Sequence, residues 1–207
     1  MKKILLFILS ALIMTQTAYA EFNDISDDPA KDKIEYLAQK GIVEGVGDNL
    51  FAPQKKVTRA EFVSMINRAM GYNQGIANEF SDVNNSDWFY NDVNIAVNMG
   101  YINGYEDNTF RPNGFINHEQ AVKILVEIYQ SKYDLSPSGD MATYFTDYYD
   151  ISDWARDYVK KGTMLSFAKG YNDILLFEPM LEINRSQAAD MIYSLINTLE
   201  ITKKADI

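Results

Sequence analysis

The apolar positions of the chain follow a helical pattern that returns three times. In each of three stretches, apolar residues recur at the three- and four-residue spacing of a helix with one buried face. A single helix of this kind, with the shorter one that precedes it, cannot bury its own apolar face. We therefore expect three units to pack together with the longer helices innermost. The apolar residues of these inner helices are Phe62, Met65, Ile66 and Met70, then Val122, Leu125, Ile128 and Tyr129, then Ala188, Met191, Ile192, Leu195 and Ile196.

A shorter amphipathic helix precedes each inner helix and ends at a stop signal. Glycine supplies that stop in the first two units, because it adopts the left-handed conformation of a helix end. In the third unit Ser166 replaces the stop glycine, and Gly162 lies where the other helices have apolar residues. We expect this third helix to be the least stable of the three. The predicted faces and stops are Ile34, Leu37, Ala38 and Gly41, then Trp88, Val93, Ala96, Val97 and Gly100, then Trp154 and Val159.

Each inner helix begins with a capping pattern followed by a residue that is unfavourable at that place. The side chain of the cap residue accepts from the backbone three residues on, and the residue there reaches back. The capping pairs are Thr58 with Glu61, Asn117 with Gln120, and Asn184 with Gln187. The next position holds Arg59, His118 or Arg185, although the helix dipole disfavours a cation there. This recurrence predicts that Arg59 and Arg185 bind a carboxylate or phosphate beside exposed helix N–H groups.

The segments around these helices repeat with a period of about 60 residues. Each unit opens with Phe-x-Asp, where the aspartate is predicted to cap or brace the first helix. A loop between the helices starts at Gly45, Gly104 or Gly170 and ends at a proline, and the helix cap follows five residues later. The pattern divides the chain into repeats at 21–72, 80–130 and 145–200, with a linker at 131–144. The three opening aspartates are Asp24, Asp82 and Asp147.

Composition sets the compartment and excludes several chemistries. Residues 1–20 have a basic start, an apolar run and a small-x-small end, which predicts a secretory signal peptide. Its removal takes away Lys2 and Lys3, so the formal charge falls from -10 to -12, which argues against nucleic acid as a partner. No membrane span is expected after cleavage.

With no cysteine and one histidine, neither a disulfide framework nor a Cys/His metal site is expected. The Asp82 segment lacks the glycine and glutamate of an EF-hand, so we expect no metal and no cofactor.

These motifs together resemble the S-layer homology repeat of bacterial envelope proteins. The shared pattern is Phe-x-Asp, tryptophan, a helix, Gly-x-x-x-Gly-Tyr-x-Asp-x-x-Phe-x-Pro and then Thr-Arg-Ala-Glu. The stretch from Phe80 to Leu125 carries nearly all of it up to the helix cap, and Val57 to Phe62 carries the last motif. The resemblance implies a mainly all-α fold, in which three helix-loop-helix repeats form a pseudo-threefold assembly around a central three-helix bundle.

The same resemblance implies a non-catalytic module, exported to the cell surface, that anchors proteins to cell-wall polysaccharide. The implied ligand is a secondary cell-wall polymer with ketal-pyruvylated amino sugar, or a peptidoglycan-linked glycan, held in grooves between repeats. Arginine of the Thr-Arg-Ala-Glu motif would meet the ligand carboxylate, and aromatic residues would stack on sugar faces. The implied ligand-binding residues are Arg59, Arg185 and His118, the loop glycines Gly45, Gly104 and Gly170, and the aromatic residues Tyr105, Tyr171, Trp88 and Trp154.

Three positions depart from the family pattern, and two other functions compete with anchoring. Pro29 replaces a tryptophan, Val46 replaces the loop tyrosine, and His118 replaces an arginine, which predicts a weak or pH-dependent second site. One alternative is a wall-active glycoside hydrolase that uses paired acids such as Glu61 and Glu119. The other is a structural envelope protein whose partner is another protein.

Overall fold

Six α-helices and one short 3-10 helix make up the regular structure of the described chain. A computed structural model describes residues 21–135, 144–169 and 175–205. The predicted signal peptide, Gly170, Tyr171 and most of the predicted linker lie outside these ranges. No strand is found within them, which confirms the all-α prediction for this part of the chain. The helices are α1 (Lys31–Gln39), α2 (Arg59–Met70), α3 (Tyr90–Asn98), α4 (His118–Gln130), α5 (Arg156–Met164) and α6 (Arg185–Ala205), with the 3-10 helix at Tyr148–Asp150.

With the chain divided into the predicted repeats, the short helix of each one packs against the long helix of the one before it. Helix α3 contacts α2, α5 contacts α4, and α1 closes the cycle by contacting α6. Helix α6 also contacts α2 and α4, whereas α2 and α4 have no Cα pair within 8 Å of each other. The apolar residues of all repeats form one continuous core. Each repeat therefore completes the core of its neighbour, as expected for units that cannot bury their own apolar faces.

A ring of three backbone hydrogen bonds joins the segments that enter the long helices. The N–H of Ile116 donates to the carbonyl of Val57 at 3.0 Å, and the N–H of Val57 donates to Ile183 at 3.1 Å. The N–H of Ile183 closes the ring on Ile116 at 3.1 Å. All three side chains are fully buried. The ring brings the beginnings of α2, α4 and α6 together at one end of the molecule.

The short helices end as the sequence predicts, but two details differ from the expectation. Gly41 and Gly100 have φ of 68° and 76°, and Ser166 adopts the same left-handed conformation at 61°. Trp154 precedes α5 and is 49% exposed, so it is not part of the buried face predicted for that helix. Trp88 precedes α3 and is 63% exposed, so it is not part of the buried face of that helix. Its exposure removes it from the core and leaves its indole open to solvent.

Gly162 marks the closest approach between α5 and α4. A Cβ placed at Gly162 would lie 2.6 Å from Cγ1 of Val122. The glycine that weakens α5 by its low helix propensity is therefore required by the packing of that helix. A residue larger than glycine fits at this position only if the Val122 side chain or α4 itself moves.

Alanine at Gly162 is expected to destabilise the protein by about 1 kcal/mol, because overpacking of about 1–3 kcal/mol exceeds the helix-propensity gain of about 1 kcal/mol. Urea unfolding of Gly162→Ala measures this change. In a Val122→Ala background the clash is removed, and the same substitution should become neutral or stabilising. Stabilisation by Gly162→Ala in the wild-type background would show that the contact with Val122 is not limiting.

Within the described ranges, no helix is both long and apolar enough to cross a membrane.

Candidate functional site

The three long helices begin in the same way, with both hydrogen bonds of a capping box. The hydroxyl of Thr58 accepts from the N–H of Glu61 at 3.2 Å, and the Glu61 carboxylate accepts from the N–H of Thr58 at 2.8 Å. The Asn117 and Gln120 pair makes the equivalent bonds at 3.0 and 3.4 Å. The Asn184 and Gln187 pair makes them at 2.8 and 2.9 Å. This common start fixes the direction of the residue that follows each cap.

The first N–H groups of these helices are occupied by the loop of the following repeat. The N–H groups of Arg59 and Ala60 donate to the carbonyls of Gly114 and Pro112 at 2.9 and 3.1 Å. Helices α4 and α6 make the same pair of bonds to the loops of the next repeats in the cycle. The expectation that a bound anion meets exposed helix N–H groups is therefore wrong, because neighbouring loop carbonyls already satisfy these donors.

The side chain after each cap also reaches into the loop of the following repeat. Nε of Arg59 donates to the carbonyl of Phe110 at 3.0 Å, and Nε of Arg185 donates to the carbonyl of Phe51 at 2.7 Å. Nδ1 of His118 lies 2.6 Å from the carbonyl of Phe177, so Nδ1 carries the proton, because a carbonyl can only accept. These bonds explain why a side chain with an N–H donor recurs at this position, although the helix dipole disfavours the charge of the two arginines.

All three of these side chains are buried, but the two arginines keep a small exposed surface and the histidine keeps none. Arg59 and Arg185 are 7% and 6% exposed, and burial lowers the pKa of both guanidinium groups. His118 is 0% exposed and stacks on the ring of Phe177 at 4.2 Å. Burial lowers the pKa of His118 to about 4, so its imidazole is neutral at ordinary pH. His118, which the resemblance placed among the ligand contacts, offers no surface to a ligand in this conformation.

The opening aspartates hold the loops, and this corrects the prediction that they brace the first helices. Asp82 accepts from the N–H groups of Phe110 and Arg111, each at 2.8 Å. Asp24 and Asp147 make the same two bonds at 2.8 and 2.7 Å to the loops of their own repeats. The second donor in each loop has positive φ, at Ala52, Arg111 and Glu178. The carboxylates thus stabilise a strained backbone that carries the phenylalanine carbonyls described above.

A cleft of about 780 Å³, here called the Arg59 cleft, lies where the three repeats meet. Arg59 comes from repeat 1, and Tyr105 from the loop of repeat 2. Trp154, which is 49% exposed, comes from repeat 3. The lining residues are Arg59, Tyr101, Ile102, Asn103, Gly104, Tyr105, Glu106, Asp107, Arg111, Asn117, Glu119, Gln120, Lys123, Ile124, Ser152, Trp154 and Met180.

Two guanidinium groups lie close to the Tyr105 ring in this cleft. The guanidinium carbon of Arg59 lies 5.0 Å from the ring centre, and that of Arg111 lies 3.8 Å from it. The hydroxyl of Tyr105 accepts from the amide of Gln120 at 3.3 Å, which ties the loop to the start of α4. The cleft therefore combines cations, an aromatic rim and amide groups, the side chains that recognise an acidic sugar.

The equivalent regions of the other two repeats are built differently. A smaller cleft of about 400 Å³ lies beside Pro29 and includes Lys33, Lys169 and Asp190. Although burial raises the pKa of Asp190, hydrogen bonds and charges from both lysines lower it overall. These ion pairs occupy the centre of the smaller cleft. Around Arg185, the carbonyl of Glu44 accepts a second guanidinium bond, and the Glu44 carboxylate pairs with Arg68 at 3.0 Å.

The loop glycines are required by a phenylalanine that packs on them. A Cβ at Gly104 would overlap the Phe80 ring, and one at Gly45 would lie 2.8 Å from the Phe22 ring. Of these two glycines, Gly104 also lines the Arg59 cleft. Sequence reasoning missed Arg111, Lys123, Ser152 and Met180 as lining residues; comparison of the residues before each loop proline could have found Arg111.

The two acids considered for hydrolysis have separate structural roles. Glu61 is held by Thr58 and by Lys55, at 2.8 and 3.1 Å. Glu119 is 2% exposed, and its carboxylate accepts from the N–H and hydroxyl of Ser152. Glu119 lines the Arg59 cleft, whereas Glu61 is not one of its lining residues. The pair therefore does not converge on one site.

Comparison with known proteins finds a family match within the first and the second predicted repeat. The sequence profile of the S-layer homology domain matches residues 21–63 and 79–122. The chain is 39% identical over 176 residues to an amylopullulanase of Thermoanaerobacterium thermosulfurigenes, covering 84% of this chain and 9% of that protein. It is 29% identical over 185 residues to a surface layer protein of Brevibacillus choshinensis, covering 84% and 15%. It is 26% identical over 203 residues to a surface-layer 125 kDa protein of Lysinibacillus sphaericus, covering 96% and 17%.

The S-layer homology domain that the profile matches is a non-catalytic anchoring module of the bacterial cell surface. The chain carries S-layer homology domains at residues 21–63 and 79–122. Domains of this family anchor exported proteins to the cell wall, and this protein is associated with the cell wall at the cell surface. The chain spans between 9% and 17% of the length of the three relatives described above.

Proposed function

We propose that the protein binds an acidic cell-wall polysaccharide in the clefts between its repeats and that residues 145–200 form a third, diverged repeat of a pseudo-threefold domain. The meeting of Arg59, Tyr105 and Trp154 in one cleft is the observation that carries the proposal. Arg59 supplies a positive charge to a carboxylate or phosphate, and the two aromatic rings supply faces on which a sugar stacks. The polymer is a pyruvylated secondary cell-wall polymer or a peptidoglycan-linked glycan.

The three repeats are proposed to contribute unequally. The Arg59 cleft is the main site because it is the larger of the two clefts and has a half-exposed tryptophan on its rim. Arg185 and the exposed Trp88 belong to a second site, for which Val46 replaces the loop tyrosine. The cleft beside Pro29 has no aromatic residue among its lining residues, and its lysines are engaged with Asp190. Gly45 and Gly104 contribute by allowing the loops to lie close to Phe22 and Phe80.

Co-sedimentation with purified wall sacculi tests this function directly. The protein is expected to sediment with intact sacculi and to remain in solution after removal of their accessory polymer. Replacement of the half-exposed Trp154 by alanine should weaken binding by about threefold to tenfold, because an aromatic stacking contact is worth about 0.5–1.5 kcal/mol. Arg59→Lys should also weaken binding, because lysine keeps the charge but lacks the planar guanidinium that makes bidentate hydrogen bonds.

The matched control is Tyr149→Ala, since Tyr149 is an exposed aromatic residue that does not line the Arg59 cleft. Circular dichroism of each variant shows that the fold is retained. Wild-type sedimentation by both Trp154→Ala and Arg59→Lys would contradict the assignment of this cleft. Retention of binding on sacculi without accessory polymer would move the ligand to peptidoglycan itself, and release of soluble sugar would favour the hydrolase.

A further inference from the structure

The Arg59 cleft contains cations at two positions where the corresponding residues of the other repeats have none. The first position is the residue before the loop proline, which is Arg111 in repeat 2 and Ala52 or Glu178 in the others. The backbone there is the same in all three, with φ of 58°, 59° and 55°. The three repeats therefore share one backbone conformation at this loop position and differ there only in the side chain.

The second position is the sixth residue of each long helix. It is Lys123 in α4, Ser64 in α2 and Asp190 in α6. Lys123 lines the Arg59 cleft together with Arg111, and Asp190 lines the smaller cleft. The residues at this position thus change from neutral to positive to negative between repeats that otherwise begin alike. The Arg59 cleft is the one whose two variable positions are both cationic.

Each of these two cations pairs with a carboxylate on a partly exposed side chain. Arg111 pairs with Asp107 at 2.9 Å, and their side chains are 53% and 54% exposed. Lys123 pairs with Glu127 at 3.5 Å, and these side chains are also partly exposed. Exposed ion pairs contribute little to stability, so an anion on a ligand can replace the carboxylate without a large cost. Arg59 is held differently, since it is buried and its Nε is fixed by the carbonyl of Phe110.

We propose that the Arg59 cleft selects a glycan with two anionic groups, one met by Arg59 and the other by Arg111 and Lys123. This inference rests on the proposed function and adds the class of ligand. Arg59, Arg111 and Lys123 all line this cleft, and the guanidinium carbons of the two arginines lie 5.0 and 3.8 Å from the centre of the Tyr105 ring, so the cleft offers more than one positive charge to a bound segment. The second anion is a carboxylate or a phosphate, since arginine and lysine bind both.

Calorimetry with two sugars, each in three matched forms, tests the inference. The probes are 4,6-pyruvylated N-acetylglucosamine and N-acetylmannosamine, each as the methyl glycoside, the carboxymethyl glycoside and the 1-phosphate. The methyl glycoside has one anionic group and the other two have a second one. The wild-type protein is expected to bind at least one of the two-anion forms about tenfold more tightly than the methyl glycoside. The better of the two identifies the second anion as carboxylate or phosphate.

The selecting residues are tested with substitutions taken from repeat 1 of the same chain. Arg111→Ala with Lys123→Ser introduces the residues found at positions 52 and 64, where the equivalent backbone is already accommodated. This double variant should bind one-anion and two-anion sugars with similar affinity. Lys203→Ser with Lys204→Ser removes the same charge from the exposed end of α6 and should keep the tenfold ratio.

Equal wild-type affinity for the one-anion and two-anion sugars overturns this inference alone, and so does a tenfold ratio that survives in the Arg111→Ala, Lys123→Ser variant. If neither the N-acetylglucosamine nor the N-acetylmannosamine probes bind, the proposed function fails together with the inference. A ratio lost equally in the Lys203→Ser, Lys204→Ser variant shows that net charge, rather than the cleft, produces the preference.

Discussion

Asparagine in place of Asp82 is expected to lower the free energy of unfolding by about 3 kcal/mol, although the residue lies near the surface. Both carboxylate oxygens accept a backbone N–H at 2.8 Å, one from Phe110 and one from Arg111. An asparagine keeps one acceptor and places an NH₂ group against the other N–H. The substitution therefore removes a charge-assisted bond and leaves a donor without its acceptor.

The loss should extend to the preceding repeat, because the same loop fixes Arg59. The carbonyl of Phe110 accepts from Nε of Arg59, so movement of the loop releases a buried guanidinium. Binding to wall sacculi should fall together with stability in this variant. Urea unfolding, followed by circular dichroism, gives the stability change, and a change in midpoint at constant slope shows that the folded state is the one affected.

Asp107 provides the matched control in the same loop. It pairs with Arg111 at the surface, and as asparagine it can still accept from the N–H of Thr109. Asp107→Asn should leave the midpoint of urea unfolding close to that of the wild type, because exposed ion pairs are weak. If Asp82→Asn unfolds within 0.5 kcal/mol of the wild type, the two loop bonds are not important for the fold.

The helix starts were predictable because they depend on neighbouring residues in the sequence. Thr58 and Glu61 are three residues apart, and their capping box needs no other part of the chain. The same reasoning identified the long buried helices by their spacing. The loop aspartates were assigned to the wrong element because Asp82 and the two backbone N–H groups that donate to it are separated by 28 and 29 residues. No local pattern relates the aspartate to a backbone donor so far along the chain.

The roles of Arg59 and Arg185 were predictable only in part. Their recurrence against the helix dipole indicated a purpose beyond helix stability. The acceptors, however, are carbonyls in a different repeat, and Arg185 and Phe51 are 134 residues apart. Which short helix packs on which long helix is equally non-local, since the pairs form between repeats. The composition of the Arg59 cleft follows from that pairing, which is why Arg111 and Lys123 were not among the predicted site residues.

Below pH 6.5 the protein is expected to lose stability through His118, by about 2 kcal/mol at pH 5 relative to pH 7. Burial lowers the pKa of the folded imidazole to about 4, whereas the unfolded chain has the ordinary value of 6.5. Between these two values the unfolded state binds a proton that the folded state does not, so stability falls as the pH falls. Below about pH 4 both states are protonated and this contribution stops changing.

His118→Gln separates this contribution from the titration of the carboxylates, which is common to both proteins. Glutamine can still donate to the carbonyl of Phe177, and the chain has no other histidine. The variant should therefore be less sensitive than the wild type to pH between 7 and 5, in chemical unfolding at a series of pH values. Parallel pH profiles for the two proteins would show that the imidazole is not held neutral. The outcome also bears on the binding site, because a neutral His118 without exposed surface leaves the Arg59 cleft, rather than position 118, as the place where an acidic glycan meets a positive charge.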